Sequence, residues 1–218
     1  MATKKTKQPA KLQEALVLFK YILNLFGCKD LAALSGDLKD PALEGVDDEG
    51  CSRMFHALKK YLYTGVGINE QERREYDRHI GKYTKEINER RTEKITWKYY
   101  QYLALLFTEI YLDRYFTDKM RLLDDINCFL VDEFNFRPET WHEMPQFTDD
   151  DLNKLAFWCA TGSGKTLMLH VNIKQYLYYA EKHHAKKLNR ILILTPNEGL
   201  SNQHIQELKA SGLYAELF

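Results

Sequence analysis

The turn CATGSGKT, residues 159–166, constrains what this chain can fold into more than any other stretch. It ends the apolar run LAFWCA (residues 155–160) and opens a helix-patterned segment that continues to about residue 182. Glycine at 162 and 164 permits left-handed backbone angles, so successive N–H groups can converge on one point. The helix that follows adds its unpaired first-turn N–H groups and its positive end, a ready-made seat for phosphate. Lys165 brings a charge suited to outer phosphates, and the Thr166 hydroxyl is of the kind that holds Mg²⁺. The candidate nucleotide-binding residues are therefore Ala160, Thr161, Gly162, Ser163, Gly164, Lys165 and Thr166, with Lys165 and Thr166 nearest the chemistry. The strict pattern G-x-x-x-x-G-K-[ST] wants glycine where this chain has Cys159.

From residue 152 the pattern alternates. LAFWCA reads as a short strand, 165–182 as a helix, RILILTP (190–196) as a buried strand, and 199–210 as a second helix with Gly212 just past its end. LYAELF at 213–218 could begin another strand. Strands alternating with crossover helices predict a parallel sheet.

The preceding residues read as helix and loop. Residues 1–92 form a helical N-terminal region, in which GDLKDPALEGVDDEG (36–50) is an acidic, turn-rich linker before a short helix at 52–63. A polar helix over 69–91 carries Glu70/Arg74, Arg73/Asp77 and Glu86/Arg90 at four-residue spacing, which supports a solvated face. Residues 93–150 form a helical segment leading into 151–218. Within it WKYYQYLALLFTEIYLDRYFTD (97–118) is apolar almost all round and predicts a helix packed on several sides. A further helix over 119–129 runs into FLVDEF (129–134), which imitates the acid-bearing strand of a nucleotide hydrolase. It precedes the cradle, and Leu122, Leu123, Ile126, Phe129 and Leu130 keep helical spacing, so Asp132 and Glu133 read as solvated acids at a helix end. Trp97, Trp141 and Trp158 read as packing anchors, and His183 and His184 as solvent-facing.

Composition narrows the function classes. Equal numbers of basic and acidic residues, 31 of each, exclude a highly basic nucleic-acid coat without excluding a local basic groove. Cys28, Cys51, Cys128 and Cys159 show no C-x-x-C pair and no histidine at the usual ligand spacing, so reduced thiols are expected rather than disulfides or a zinc site. Apolar residues at 12, 15, 16, 19, 22, 23 and 26 share one helical face, which argues for a buried amphipathic helix over a signal peptide. No run approaches the ~20 apolar residues of a membrane span, and a cytoplasmic protein is expected.

Taken together, LNKLAFWCATGSGKTLMLHVNIKQYLYYA, LNRILILTPNEGLSNQHIQEL and KYYQYLALLFTEIYLDRYF resemble the N-terminal part of a DEAD/DEAH-type superfamily two helicase. The nearest family is the restriction subunit of type III restriction–modification enzymes, and the resemblance covers roughly residues 75–218. It implies an α/β fold: a helical N-terminal region followed by the first strands and helices of an incomplete RecA-like P-loop NTPase parallel sheet. It implies ATP and Mg²⁺ as cofactors, with Mg²⁺ held by Thr166. It implies double-stranded DNA as partner, gripped through strand phosphates at Thr195, Pro196, Asn197, Leu200 and Gln203, and a modification methyltransferase subunit as a possible further partner. The family reads adenine through a glutamine upstream of the cradle, and Gln101, after Tyr99 and Tyr100, is the matching candidate. No D-E-x-H or D-E-A-D box, arginine finger, second RecA-like lobe or nuclease motif occurs in the chain. The expectation is the ATP-binding front portion of an ATP-dependent DNA helicase or translocase, truncated over residues 151–218 and inactive alone. A nucleotide- or DNA-binding module without hydrolysis, and an RNA helicase relative, stay open as alternatives.

Overall fold

A computed structural model describes residues 15–62, 67–134 and 144–217. Its α-helices are α1 (Val17–Leu25), α2 (Leu31–Ser35), α3 (Arg53–Ala57), α4 (Glu70–Asn88), α5 (Tyr99–Thr117), α6 (Lys119–Phe129), α7 (Lys165–Lys182) and α8 (Glu198–Ala210). Trp141 lies outside the described residues.

The centre of the molecule is α5. Gln101, Tyr102, Leu103, Leu105, Leu106, Thr108, Glu109, Ile110, Tyr111 and Leu112 are all buried, so the helix is covered on every side, as its unbroken apolar pattern requires. Helix α4 is the opposite case. Its mean composition is polar, yet Tyr76, Ile80, Tyr83 and Ile87 form one buried stripe at helical spacing. A reciprocal cap starts it: Asn69 Oδ1 accepts from Glu72 N–H, and Glu72 Oε2 accepts from Asn69 N–H, each at 2.9 Å. On the far side, α1 and α6 close the core through Tyr21, Ile22, Leu23, Phe26, Leu122 and Ile126, with Arg114 of α5 donating to Tyr21 Oη at 2.7 Å. One apolar core runs from Val17 to Tyr179.

Helix α7 docks on α5 and α4, with Met168, Val171 and Tyr179 buried there. Polar ties fix its register. Gln175 Nε2 donates to Leu105 O at 3.0 Å, Tyr179 Oη donates to Glu109 Oε2 at 2.7 Å, and Lys174 pairs with Glu86 at 2.7 Å. Helix α8 packs against α7 in turn.

The expected parallel sheet does not form. Among the described residues there is no strand, only an isolated antiparallel bridge between Val46 and Ser52. Residues 155–160 and 190–195 form no strand, and most of their apolar side chains face solvent: Trp158 is 64% exposed and Leu194 92%. The expectation of a buried strand at RILILTP is therefore corrected, and LYAELF adds none over 213–217. The physical reason lies in α7. In a strand–helix–strand unit the crossover helix lays its apolar stripe on the sheet, whereas here that stripe is already spent on α5 and α4. An apolar run specifies a strand only when a second strand offers it hydrogen bonds, and neither segment pairs with one.

Candidate functional site: the phosphate loop on helix α7

The loop runs from Ala160 to Gly164 and feeds directly into α7. Gly162 and Gly164 hold φ of 76° and 81°, the left-handed region where any side chain is strained. At Gly162 an added Cβ would meet nothing within 4 Å, but at Gly164 it would lie 2.4 Å from Gln101 Nε2. The first glycine is thus needed for its angle, the second for its angle and for a close neighbour.

No side chain caps the N-terminus of α7. Leu167 N–H donates to Gly164 O at 3.0 Å, and the N–H groups of Lys165 and Thr166 stand at the helix start without a side-chain cap, at the positive end of an 18-residue helix. Lys165 is exposed and reaches back across the loop, its Nζ donating to Ala160 O at 2.7 Å and to Cys159 O at 3.2 Å. Thr166 is half-buried one residue on. Ser163 is buried, and its Oγ has no hydrogen-bond partner. A buried hydroxyl without a partner, beside an uncapped helix start, is a polar group that a ligand oxygen could satisfy.

Gln101 is brought to this loop, although not as a free amide. Its Oε1 accepts from Lys98 N–H at 2.9 Å, closing the first turn of α5, and its Nε2 donates to Ser163 O at 2.8 Å. The side chain is 9% exposed. It pins the loop to the central helix, a role its place in the sequence did not suggest.

The second segment, Thr195 to Gln203, is a capping turn at Thr195–Asn197 followed by the first turns of α8. Asn197 Oδ1 accepts from Leu200 N–H at 2.9 Å, and Thr195 Oγ1 donates to Asn197 O at 3.1 Å. Pro196 and Gln203 are exposed. What links this turn to the loop is α7. The C-terminal end of α8 is held by Arg91, whose guanidinium pairs with Glu207 at 3.0 Å and donates to Ser211 Oγ at 2.8 Å. Ser211 Oγ in turn sits 2.8 Å from Nδ1 of His170, on the second turn of α7. Burial, reinforced by the nearby Arg91 charge, pushes the His170 pKa down to about 4. Ser211 Oγ thus accepts from Arg91 and shares a hydrogen bond with Nδ1, and burial favours the neutral imidazole.

The acids of FLVDEF lie where the helical spacing put them. Leu130 is buried, Asp132 and Glu133 are exposed, and the stretch forms a π-helical turn over Leu130–Phe134. His184 is exposed and His183 half-buried, while Trp97 is a buried anchor and Trp158 is not.

Residues 131–215 match the family model of the type III restriction enzyme, res subunit. The matched segment takes in the phosphate loop, both helices after it and the turn at Thr195; residues 1–130 lie outside it. The segment is similar to that family over this stretch. No curated protein and no solved structure matches the chain. Among the described residues no helix is long and apolar enough to cross a membrane.

Sequence spacing missed one cluster altogether. Asp47, Cys51 and His56 bring their ligating atoms to within 4.8 Å of one another, although no metal-binding pattern was legible around either side of the linker.

Proposed function

We propose that residues 160–166 bind the phosphates of Mg-ATP, and that the chain serves as the nucleotide-binding portion of a DNA translocase of type III restriction enzyme kind. One observation carries the reading: two left-handed glycines lead into an uncapped helix end, with Lys165 lying across the mouth, inside the segment that matches the res-subunit family. Phosphate would take the place of the Ala160 and Cys159 carbonyls as partner of Lys165. A strongly anionic acceptor is the better match for an ammonium than two neutral carbonyls. The loop N–H groups would donate to phosphate oxygens, the orphan Ser163 hydroxyl would gain an acceptor, and Thr166 would offer its oxygen to Mg²⁺.

Gln101 holds the loop in position through Ser163. Reading adenine with the same amide would require giving up that bond or the one to Lys98. The exposed turn at Pro196 and Gln203 is the proposed contact for strand phosphates, a grip that does not depend on base sequence.

The test is calorimetric titration of the chain with Mg-ATP beside Lys165→Ala. Binding that is lost in the variant, with helical content unchanged, is the expected result. Equal affinity in the two proteins would remove the loop from nucleotide binding.

A further inference from the structure

We infer that Asp47, Cys51 and His56 form a zinc-type metal site on the helical N-terminal region, with three protein ligands and a fourth position open to water. The ligating atoms of all three lie within 4.8 Å of one another, and the Asp47 carboxylate is 2.7 Å from His56 Nε2. Around a four-coordinate zinc with bonds of roughly 2.0–2.3 Å, ligand atoms stand about 3.3–3.7 Å apart. The cluster therefore needs shifts smaller than a bond length, the thiol moving in and the carboxylate–imidazole pair opening.

The loop that carries two of the ligands is built before any ion arrives. Asp47 N–H donates to Cys51 O at 2.8 Å and Gly50 N–H donates to Asp47 O at 3.1 Å, inside the antiparallel bridge of Val46 and Ser52. Gly50 supplies the left-handed turn at φ 81°. The two carboxylate oxygens of Asp47 are divided. Oδ1 accepts from the N–H groups of Glu49 and Cys51, each at 2.9 Å, and so fixes the side chain, while Oδ2 faces His56. His56 comes from α3, and the same loop is tied to α4 because Ser52 N–H donates to Asp77 Oδ2 at 2.9 Å. Both ends of the ligand set are thus fixed to the core.

The donor set decides the metal. A thiol, an imidazole and one carboxylate suit a borderline-soft ion such as zinc; Ca²⁺ and Mg²⁺ favour sets of oxygen alone. An ion can enter, because the side chains of His56 and Asp47 are 40% and 29% exposed. On binding, the Cys51 S–H proton leaves to solvent as the sulfur–metal bond forms. His56 gives its Nε2 lone pair, and its hydrogen bond to Asp47 is exchanged for shared ligation of the ion.

The test uses the metal-stripped full chain and Co²⁺ as a coloured stand-in for zinc. The expected result is one ion per chain, a thiolate-to-cobalt charge-transfer band, and loss of that band when Zn²⁺ displaces it. Cys51→Ser should abolish the band, and Asp47→Asn and His56→Gln should each weaken Zn²⁺ binding by about tenfold or more. Asp47→Asn keeps the oxygen that holds the loop, so its circular dichroism should match the parent and separate ligation from folding. Cys128→Ser, at an exposed thiol away from the cluster, should leave both band and affinity unchanged. A band that survives Cys51→Ser, or Zn²⁺ affinity equal in the parent and all three cluster variants, would overturn the site. ATP is absent from every arm, so the result is independent of the phosphate loop.

Discussion

Acid should detach α8 from α7, and His170 is the residue that sets where. In the fold its imidazole is fully buried, hydrogen-bonded to Ser211, and has a pKa lowered to about 4, mainly by burial. Unfolded, it returns to about 6.5. A base whose folded pKa is depressed contributes stability in its neutral form. That contribution is fully present above about pH 6.5 and is lost as pH falls toward 4. Between about pH 7.5 and 4.5 the linkage amounts to about 2.5 kcal/mol. The other charges around the imidazole are Arg91 and His204, which oppose protonation, and Glu207, which favours it. Subtracting a His170→Gln variant cancels the carboxylates that titrate elsewhere. Glutamine can pair with Ser211 through either Oε1 or Nε2, so the variant tests the proton and not the hydrogen bond. The assay is urea unfolding of both proteins across that pH range, followed by circular dichroism. Parent and variant stabilities falling in parallel would refute the assignment of this pH dependence to His170.

The loop yields further predictions. Gly164→Ala should cost about 2 kcal/mol or more, combining left-handed strain with displacement of Gln101, while Gly162→Ala, with open space around its Cβ, should cost only the strain of about 1–2 kcal/mol. Chemical unfolding of both variants measures that difference, and Gly164→Ala should also abolish Mg-ATP binding. Gln101→Ala should destabilise by about 1–3 kcal/mol by leaving the Ser163 carbonyl without its donor. It should weaken ATP and a pyrimidine triphosphate equally in calorimetry, whereas a larger loss for ATP would mark adenine reading. Asn197→Ala removes the cap of α8 and should cost about 1 kcal/mol in thermal unfolding.

The helices were legible because each carries its own evidence. The all-round apolar pattern of residues 97–118 became α5, the segment begun by Lys165 became α7, and Asn197 and Gly212 mark the ends of α8 as side-chain capping and a left-handed glycine require. The left-handed glycine turn before α7 was legible for the same reason, since glycine spacing is a local property. The sheet was misread because RILILT says only that its residues are apolar. Whether they pair depends on what lies beside them, and α7 had its apolar face committed to α5. Gln101, expected to read adenine, instead spends its amide on Lys98 and Ser163, a tertiary arrangement that local sequence does not carry. The Asp47–Cys51–His56 cluster was invisible, because the bridge between Val46 and Ser52, and not a recurrent spacing, folds those side chains together.

The central claim is that phosphate binds where the loop enters α7. Amide hydrogen exchange of the chain with and without Mg-ATP tests it residue by residue. The account predicts slowed exchange concentrated at Gly162, Gly164, Lys165 and Thr166, with little change in α1 or α6. Protection elsewhere with these four amides unaffected would contradict it.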